Sequence, residues 1–405
     1  INYYEFKYRE ADYGPYPKGL MYYLTMMDSW LYDETKPFIH IEAGDTFDEL
    51  KKNARNGYFE KLIKEYLLDN NHKSIISLVP EYGLEKEKEQ KEADKLAEYK
   101  STLTNDELEE LVKKTKELKE YQDTPSSQED LEKIPMLELS DIKREPAKDY
   151  NDVKSVDGIK IVHHNIFTNK IAYINMSFDT KCVPDELIPY MGLLGSTLSL
   201  MDTKNYTYPE LTNEININCG GLATGTALYS DKVDFSKNTI VYEVKSKALY
   251  EKVPFVLGMM EEIMYNTRFD DYKRLKEIIA RIKSRLEASL MGQGHSIAML
   301  ECCAQFSESA YYSDILRGYK YYEFIKKLDE EFEQNKTQIV DKLNKLVGYI
   351  FNKDNVIVSL TADDEGYDCF VKALSAKSCN IKDEHYNTAV RSFIPVNVKT
   401  GYTSA

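Results

Sequence analysis

Gly158-Ile-Lys-Ile-Val-His-His-Asn165 and Ala172-Tyr-Ile-Asn-Met-Ser-Phe178 alternate apolar and polar residues, and Phe167-Thr-Asn-Lys170 separates them. A period of two places alternate side chains on one face of a strand, so two strands paired across a turn are predicted here. Helical spacing follows at 186–199 and 208–219, then strand patterns at 221–229 and 239–244. Two or three long helices fit 249–310, another pair fits 321–351, and Asn355-Val-Ile-Val-Ser-Leu360 reads as a closing strand. Strands alternating with helix pairs give an α+β class, with ferredoxin-like layers in which helices pack on a mostly antiparallel sheet.

Upstream, residues 81–123 are about half charged and contain no Gly or Pro after Gly83. Thr104-Asn-Asp-Glu107 has the form of a capping box, so two long helices joined near 101–104 are expected, a solvated αα-hairpin. Before it, Asn2-Tyr-Tyr-Glu-Phe-Lys-Tyr-Arg9 reads as a strand, and helices fit 20–31, the stretch from 47, and 57–68. Ser74-Ile-Ile-Ser-Leu-Val79 reads as a strand ended by Pro80. The order helix, helix, Asn-rich stop, strand occurs here and again from Phe324 to Leu360. The expected division is therefore 1–80 as the back half of an α+β domain, 81–144 as hairpin and connector, 145–372 as a complete domain, and 373–405 as the start of a further linker.

With 405 residues, 42% hydrophobic and 30% charged, the chain has material for more than one core. Lys and Arg total 53 against 68 Asp and Glu, a net charge of -15, which excludes nucleic acid as the main partner. No apolar run approaches the ~20 residues of a membrane span, and no leader pattern opens the sequence, so no membrane association and a cytoplasmic location are expected. The six cysteines, Cys182, Cys219, Cys302, Cys303, Cys369 and Cys379, form no C-x-x-C, and reduced thiols are expected.

The six histidines are His40, His72, His163, His164, His295 and His385, and they form neither H-E-x-x-H nor H-x-x-E-H. His163 and His164 are adjacent, but neighbours on a strand face opposite sides and cannot share a metal. Cys302 and Cys303 lie about two helical turns past His295, too far for a Cys–His dyad, and are expected to be buried on a helix. Gly220-Gly221 and Gly292-x-Gly294 lack the context of a phosphate loop. Asp363-Asp364-Glu365 after a strand is expected to be a solvated turn rather than a cation loop. No residue of the chain is assigned a catalytic, cofactor-binding or metal-binding role.

Glu5-Phe-Lys-Tyr-Arg-Glu-Ala11 with Gly14 and Pro17-Lys-Gly19, Trp30-Leu-Tyr32, Tyr58-Phe-Glu-Lys-Leu-Ile63, Ser77-Leu-Val-Pro80, Phe167-Thr-Asn-Lys-Ile-Ala-Tyr173 and Gly220-Gly221 occur in one order along the chain. In that order they resemble presequence-protease-like zinc metallopeptidases of the pitrilysin/insulinase superfamily, from the end of the second domain through the helical linker and third domain. The resemblance implies four related α+β domains closing around a chamber, with H-x-x-E-H and zinc in the first and substrate-gripping groups in the fourth. It implies a metalloendopeptidase degrading peptides and unfolded segments, to which this stretch contributes chamber wall and hinge and no zinc ligand. Peptide substrates and peptidase domains one and four are the implied partners, and self-association through 1–80 is expected of an incomplete domain. The rival readings are a catalytically inactive scaffold of the same superfamily and an adaptor binding through the charged hairpin.

Overall fold

Residues 2–9 form a helix rather than the predicted strand. In the computed structural model, which describes residues 1–145, 150–234, 237–376, 379–391, 393 and 395, α1 spans Asn2–Glu10. A helix puts Phe6 and Glu10 four residues apart on one face, and both are buried, while Arg9 reaches back to Glu5 at 2.8 Å. The Tyr and Phe spacing fits either period, and burial of Phe6 against Gly220 decides it. Helices α2 (Lys18–Trp30) and α3 (Gly44–Ala54) follow where helical spacing predicts them. The chain divides into two compact units, residues 1–56 together with 149–405, and residues 57–148.

The unit 57–148 holds a short α4 (Tyr58–Leu62) that widens into a π-helical turn at Ile63–Leu68. Residues 74–79 are not a strand: Ile75 is 96% exposed and Leu78 94%, and the segment has no ladder partner. A lone strand cannot satisfy its own backbone groups, so an apolar run without a neighbour stays irregular. The predicted hairpin is present as α5 (Leu84–Thr102) and α6 (Asn105–Asp123). Thr104 caps α6, accepting from the Glu107 amide at 3.3 Å while the Glu107 carboxylate accepts from the Thr104 amide at 2.8 Å. A short α7 (Gln128–Glu132) follows.

The α+β layering is built on one six-stranded sheet. Its strands are β1 (Asp152–Val156), β2 (Ile159–Asn165), β3 (Ile171–Asp179), β4 (Leu222–Ser230), β5 (Asn238–Leu249) and β6 (Val356–Ala362), in the order β1-β2-β6-β3-β5-β4. Only β2 and β6 run parallel. Thus β2 and β3 do not pair across the turn as expected, because β6 lies between them. Val-Ile-Val-Ser-Leu-Thr-Ala is the kind of nearly continuous apolar strand that takes a central position, where burial is greatest. The hairpin partner of β2 is β1, a strand absent from the sequence reading, joined through Asp157 and Gly158, both at positive φ.

Helices α8 (Ile188–Thr197), α9 (Tyr208–Asn218), α10 (Val253–Asn266), α11 (Tyr272–Gly292), α12 (Gly294–Cys303), α13 (Glu308–Arg317), α14 (Tyr319–Glu330) and α15 (Phe332–Ile350) complete the layer, with α16 (Asp364–Ser375) after β6. Ile174, Met176 and Phe178 of β3, Tyr242 and Val244 of β5, and Val358 and Leu360 of β6 form its core with Met191, Leu257, Ile279, Leu343 and Phe351. Asp363 begins α16 as its cap, accepting from the Gly366 amide at 3.1 Å, so the acidic run is a helix start rather than a turn. None of the six cysteines is paired. Cys302 is exposed and Cys303 half-buried, against the expected burial, since α12 buries none of its residues. No described helix is long and apolar enough to cross a membrane.

Candidate functional site

One face of the sheet carries the helices, and the other carries polar side chains. Tyr173, Asn175 and Ser177 of β3 stand opposite Lys247, Lys245 and Glu243 of β5, and Ser359 and Thr361 of β6 flank them. This follows from the period of two: the odd-numbered residues of β3 point away from Ile174, Met176 and Phe178. Glu243 organises the face, accepting from Asn175 Nδ2 and the Tyr229 hydroxyl, each at 2.9 Å, and pairing with Lys245 at 2.6 Å. Burial pushes its carboxyl up, but the Lys245, Asn175 and Tyr229 donors outweigh that and hold it below its ordinary value. A shallow cavity of about 450 Å³ opens here, lined by Tyr173, Asn175, Gly221, Lys245, Ser359 and Thr361 among others.

At one end of this face α1 docks. The Glu10 side chain is 1% exposed and pairs with Lys247. Burial first, and the Glu10 carboxylate second, push the Tyr173 hydroxyl up to about 12. Tyr173 therefore stays a neutral hydrogen-bonding group at physiological pH.

His163 and His164 face opposite sides. His163 is buried, its Nε2 lying 3.0 Å from the Ala362 carbonyl and its ring stacking on Tyr367. His164 bridges the Tyr150 carbonyl through Nδ1 at 2.9 Å and the Ser359 hydroxyl through Nε2 at 3.0 Å. The carbonyl can only accept, which places the ring proton on Nδ1 and leaves Nε2 to take the Ser359 proton. This pair lies beyond a sequence reading, since the two residues are 195 apart and no local pattern joins them. Its neighbour Asn175 donates one of its two Nδ2 protons to Glu243.

His40, His72 and His295 are exposed. Among the described residues, Asp354, Asp383 and His385 form the one group of three metal-capable side chains, with ligand atoms within 4.8 Å of one another, all exposed. Asp354, chiefly by a hydrogen bond, raises the His385 imidazole above its ordinary value. A single exposed imidazole already bonded to a carboxylate does not fit a zincin centre, which needs two imidazoles on one helical face with a nearby Glu. No zinc step is therefore derived from this chain.

Residues 78–328 match the model of a peptidase-associated family, the associated region of subfamily C of the pitrilysin-type peptidases. The chain is 39% identical to Protein HypA of Clostridium perfringens over 392 residues, covering 96% of the chain and 40% of that protein. It is 28% identical to Presequence protease 1, chloroplastic/mitochondrial, of Arabidopsis thaliana over 368 residues, covering 90% and 34% respectively. With the mitochondrial presequence protease of Drosophila melanogaster the identity is 26% over 299 residues, covering 74% and 28%. The chain spans two fifths or less of the length of these relatives. A match across more than half of the chain, carried by the hairpin and the first two-thirds of the sheet domain, means that the chain belongs to this peptidase-associated family of the pitrilysin-type peptidases.

Proposed function

We propose that this chain is the non-catalytic middle part of a zinc-dependent metalloendopeptidase that degrades peptides and unfolded segments. The sheet unit serves as chamber wall and the charged αα-hairpin as hinge. The carrying observation is that 90% and 74% of the chain align with two proteins named presequence proteases, while covering 34% and 28% of their length. The polar sheet face supports a wall role, since its donors and acceptors suit the backbone of an extended peptide. Zinc and the peptidase domains that hold substrate belong, in this reading, to parts of the protein outside these residues, in the cytoplasm. The intact protein encoded by the same gene should cleave unfolded basic peptides and lose that activity to a chelator. The 405-residue chain alone should leave the peptides whole. Chelator-sensitive cleavage by the chain itself would overturn the proposal, and an intact protein that holds peptides without cutting them would favour the scaffold reading.

A further inference from the structure

On the helix-bearing side, α8, β4, α11, α13 and α14 enclose a groove of about 520 Å³ distinct from the polar sheet face. Three of the chain's nine arginines, Arg281, Arg285 and Arg317, line it. All three are exposed, and none has an ion pair or side-chain hydrogen bond among the described residues. In a chain of net charge -15 that is a local reversal of sign. Arg281 and Arg285 are four apart on α11, a spacing at which like charges repel. An anion between them would relieve that repulsion.

The groove is also built for close approach. A Cβ on Gly192 would lie 2.8 Å from the Tyr321 ring, so the missing side chain lets α8 and α14 close its inner end. The Tyr321 hydroxyl is buried with no hydrogen-bond partner, and the charge of Arg285 acts on it. Thr224, Gly225 and Thr226 of β4 form another wall. β4 is the edge of the sheet and among the described residues pairs only with β5; the Thr224 hydroxyl donates to the Gly195 carbonyl of α8 at 3.2 Å, so an added strand has the part of the outer edge beyond that contact.

We propose that this groove binds an extended peptide segment bearing a carboxylate, the backbone adding to the β4 edge and the carboxylate held by the three guanidinium groups. Three cations are too few for a nucleic acid, and guanidinium forks match a planar carboxylate. The carboxylate is either a chain terminus or an Asp or Glu side chain. The inference rests on the peptide-handling reading above, but its test reads binding rather than cleavage, so either can fail alone.

Fluorescence anisotropy with a labelled peptide of free C-terminus and two Asp residues gives the reference affinity. R281Q/R285Q/R317Q should weaken it by at least about tenfold, and the triple Lys variant should fall between. Amidating the C-terminus, or replacing Asp by Asn in the peptide, identifies which carboxylate is held. The same peptide N-methylated at alternate residues should bind about tenfold more weakly if the strand edge is used. Because all three arginines are exposed, the variants should keep the wild-type circular dichroism and melting temperature. Unchanged affinity in the triple Gln variant, or equal affinity for the peptide with every carboxylate removed, would overturn the proposal. Full competition by inorganic phosphate together with indifference to N-methylation would overturn it as well, since it would reduce the groove to a simple anion site.

Discussion

Two ionic clusters, each built around one buried carboxylate, Glu10 or Asp314, carry most of what single residues decide here. Glu10 sits in the contact between α1 and the sheet with Lys247 as its hydrogen-bonded cation, while its other oxygen has no hydrogen bond and only the half-exposed Lys7 ammonium 3.9 Å away. Removing one partner of such a pair strands the other's charge, which costs more than the pair gains. Lys247→Ala should lower unfolding free energy by about 3 kcal/mol in urea titration, and adding Glu10→Gln should recover most of it. No recovery in the double variant would mean that packing, not charge, holds α1. The second is Glu301 on α12 beside Asp314 on α13 and Lys320 on α14, whose ammonium lies 3.4 Å from Asp314. The neighbouring Asp314 carboxylate first, then partial burial, raises the Glu301 carboxyl above its ordinary value. A carboxyl with a raised folded value holds its proton more tightly folded than unfolded. Its stabilisation is therefore complete below 4.5 and lost as pH climbs through the raised value. Stability should fall across that window, and Glu301→Gln should flatten the fall. An unaltered pH profile in the variant would show that Glu301 does not set the fall.

At the scale of elements, the hairpin's second helix depends on its cap. Thr104→Ala removes the side chain that accepts from the Glu107 amide, and exchange of the first-turn amides of α6 should quicken about fivefold by mass spectrometry. Equal exchange would show that α6 is held by contacts other than its cap. This cap is legible in the sequence because Thr104 and Glu107 answer each other over three residues. So are β3, β4, β5 and the long helices, whose periods are set by one buried face. Sequence does not decide between periods in short aromatic stretches such as 2–9, where the docking of Phe6 settles the matter. Nor does it name the partner of a strand: 74–79 has the composition of β6 but lacks neighbours, and so remains irregular and exposed. Asp157-Gly158 is a hairpin signal in its own right, but β1 has too little apolar pattern to announce the strand on its other side. The polar-face pairing of His164 with Ser359, and the arginine groove, are products of topology that no local spacing announces.

Across the whole molecule, stability is unevenly shared. The β3 and β6 amides lie in the middle of a sheet covered by helices, whereas 74–79 has neither ladder nor burial. Hydrogen exchange should find 74–79 exchanged at the earliest times and β3 and β6 protected longest. Comparable protection in both would refute the irregular assignment of 74–79. The position of β6 has one more effect, on how the chain is made. β2 ends at Asn165, β3 begins at Ile171, and the turn between them already contains two left-handed residues, Asn169 and Lys170. The strand that must separate them begins only at Val356. At about 5–20 residues per second, translation leaves β2 and β3 waiting on the order of ten seconds or more for it. Through that interval the nascent chain is free to close the very hairpin the native sheet forbids, and β6, arriving late, has to open it.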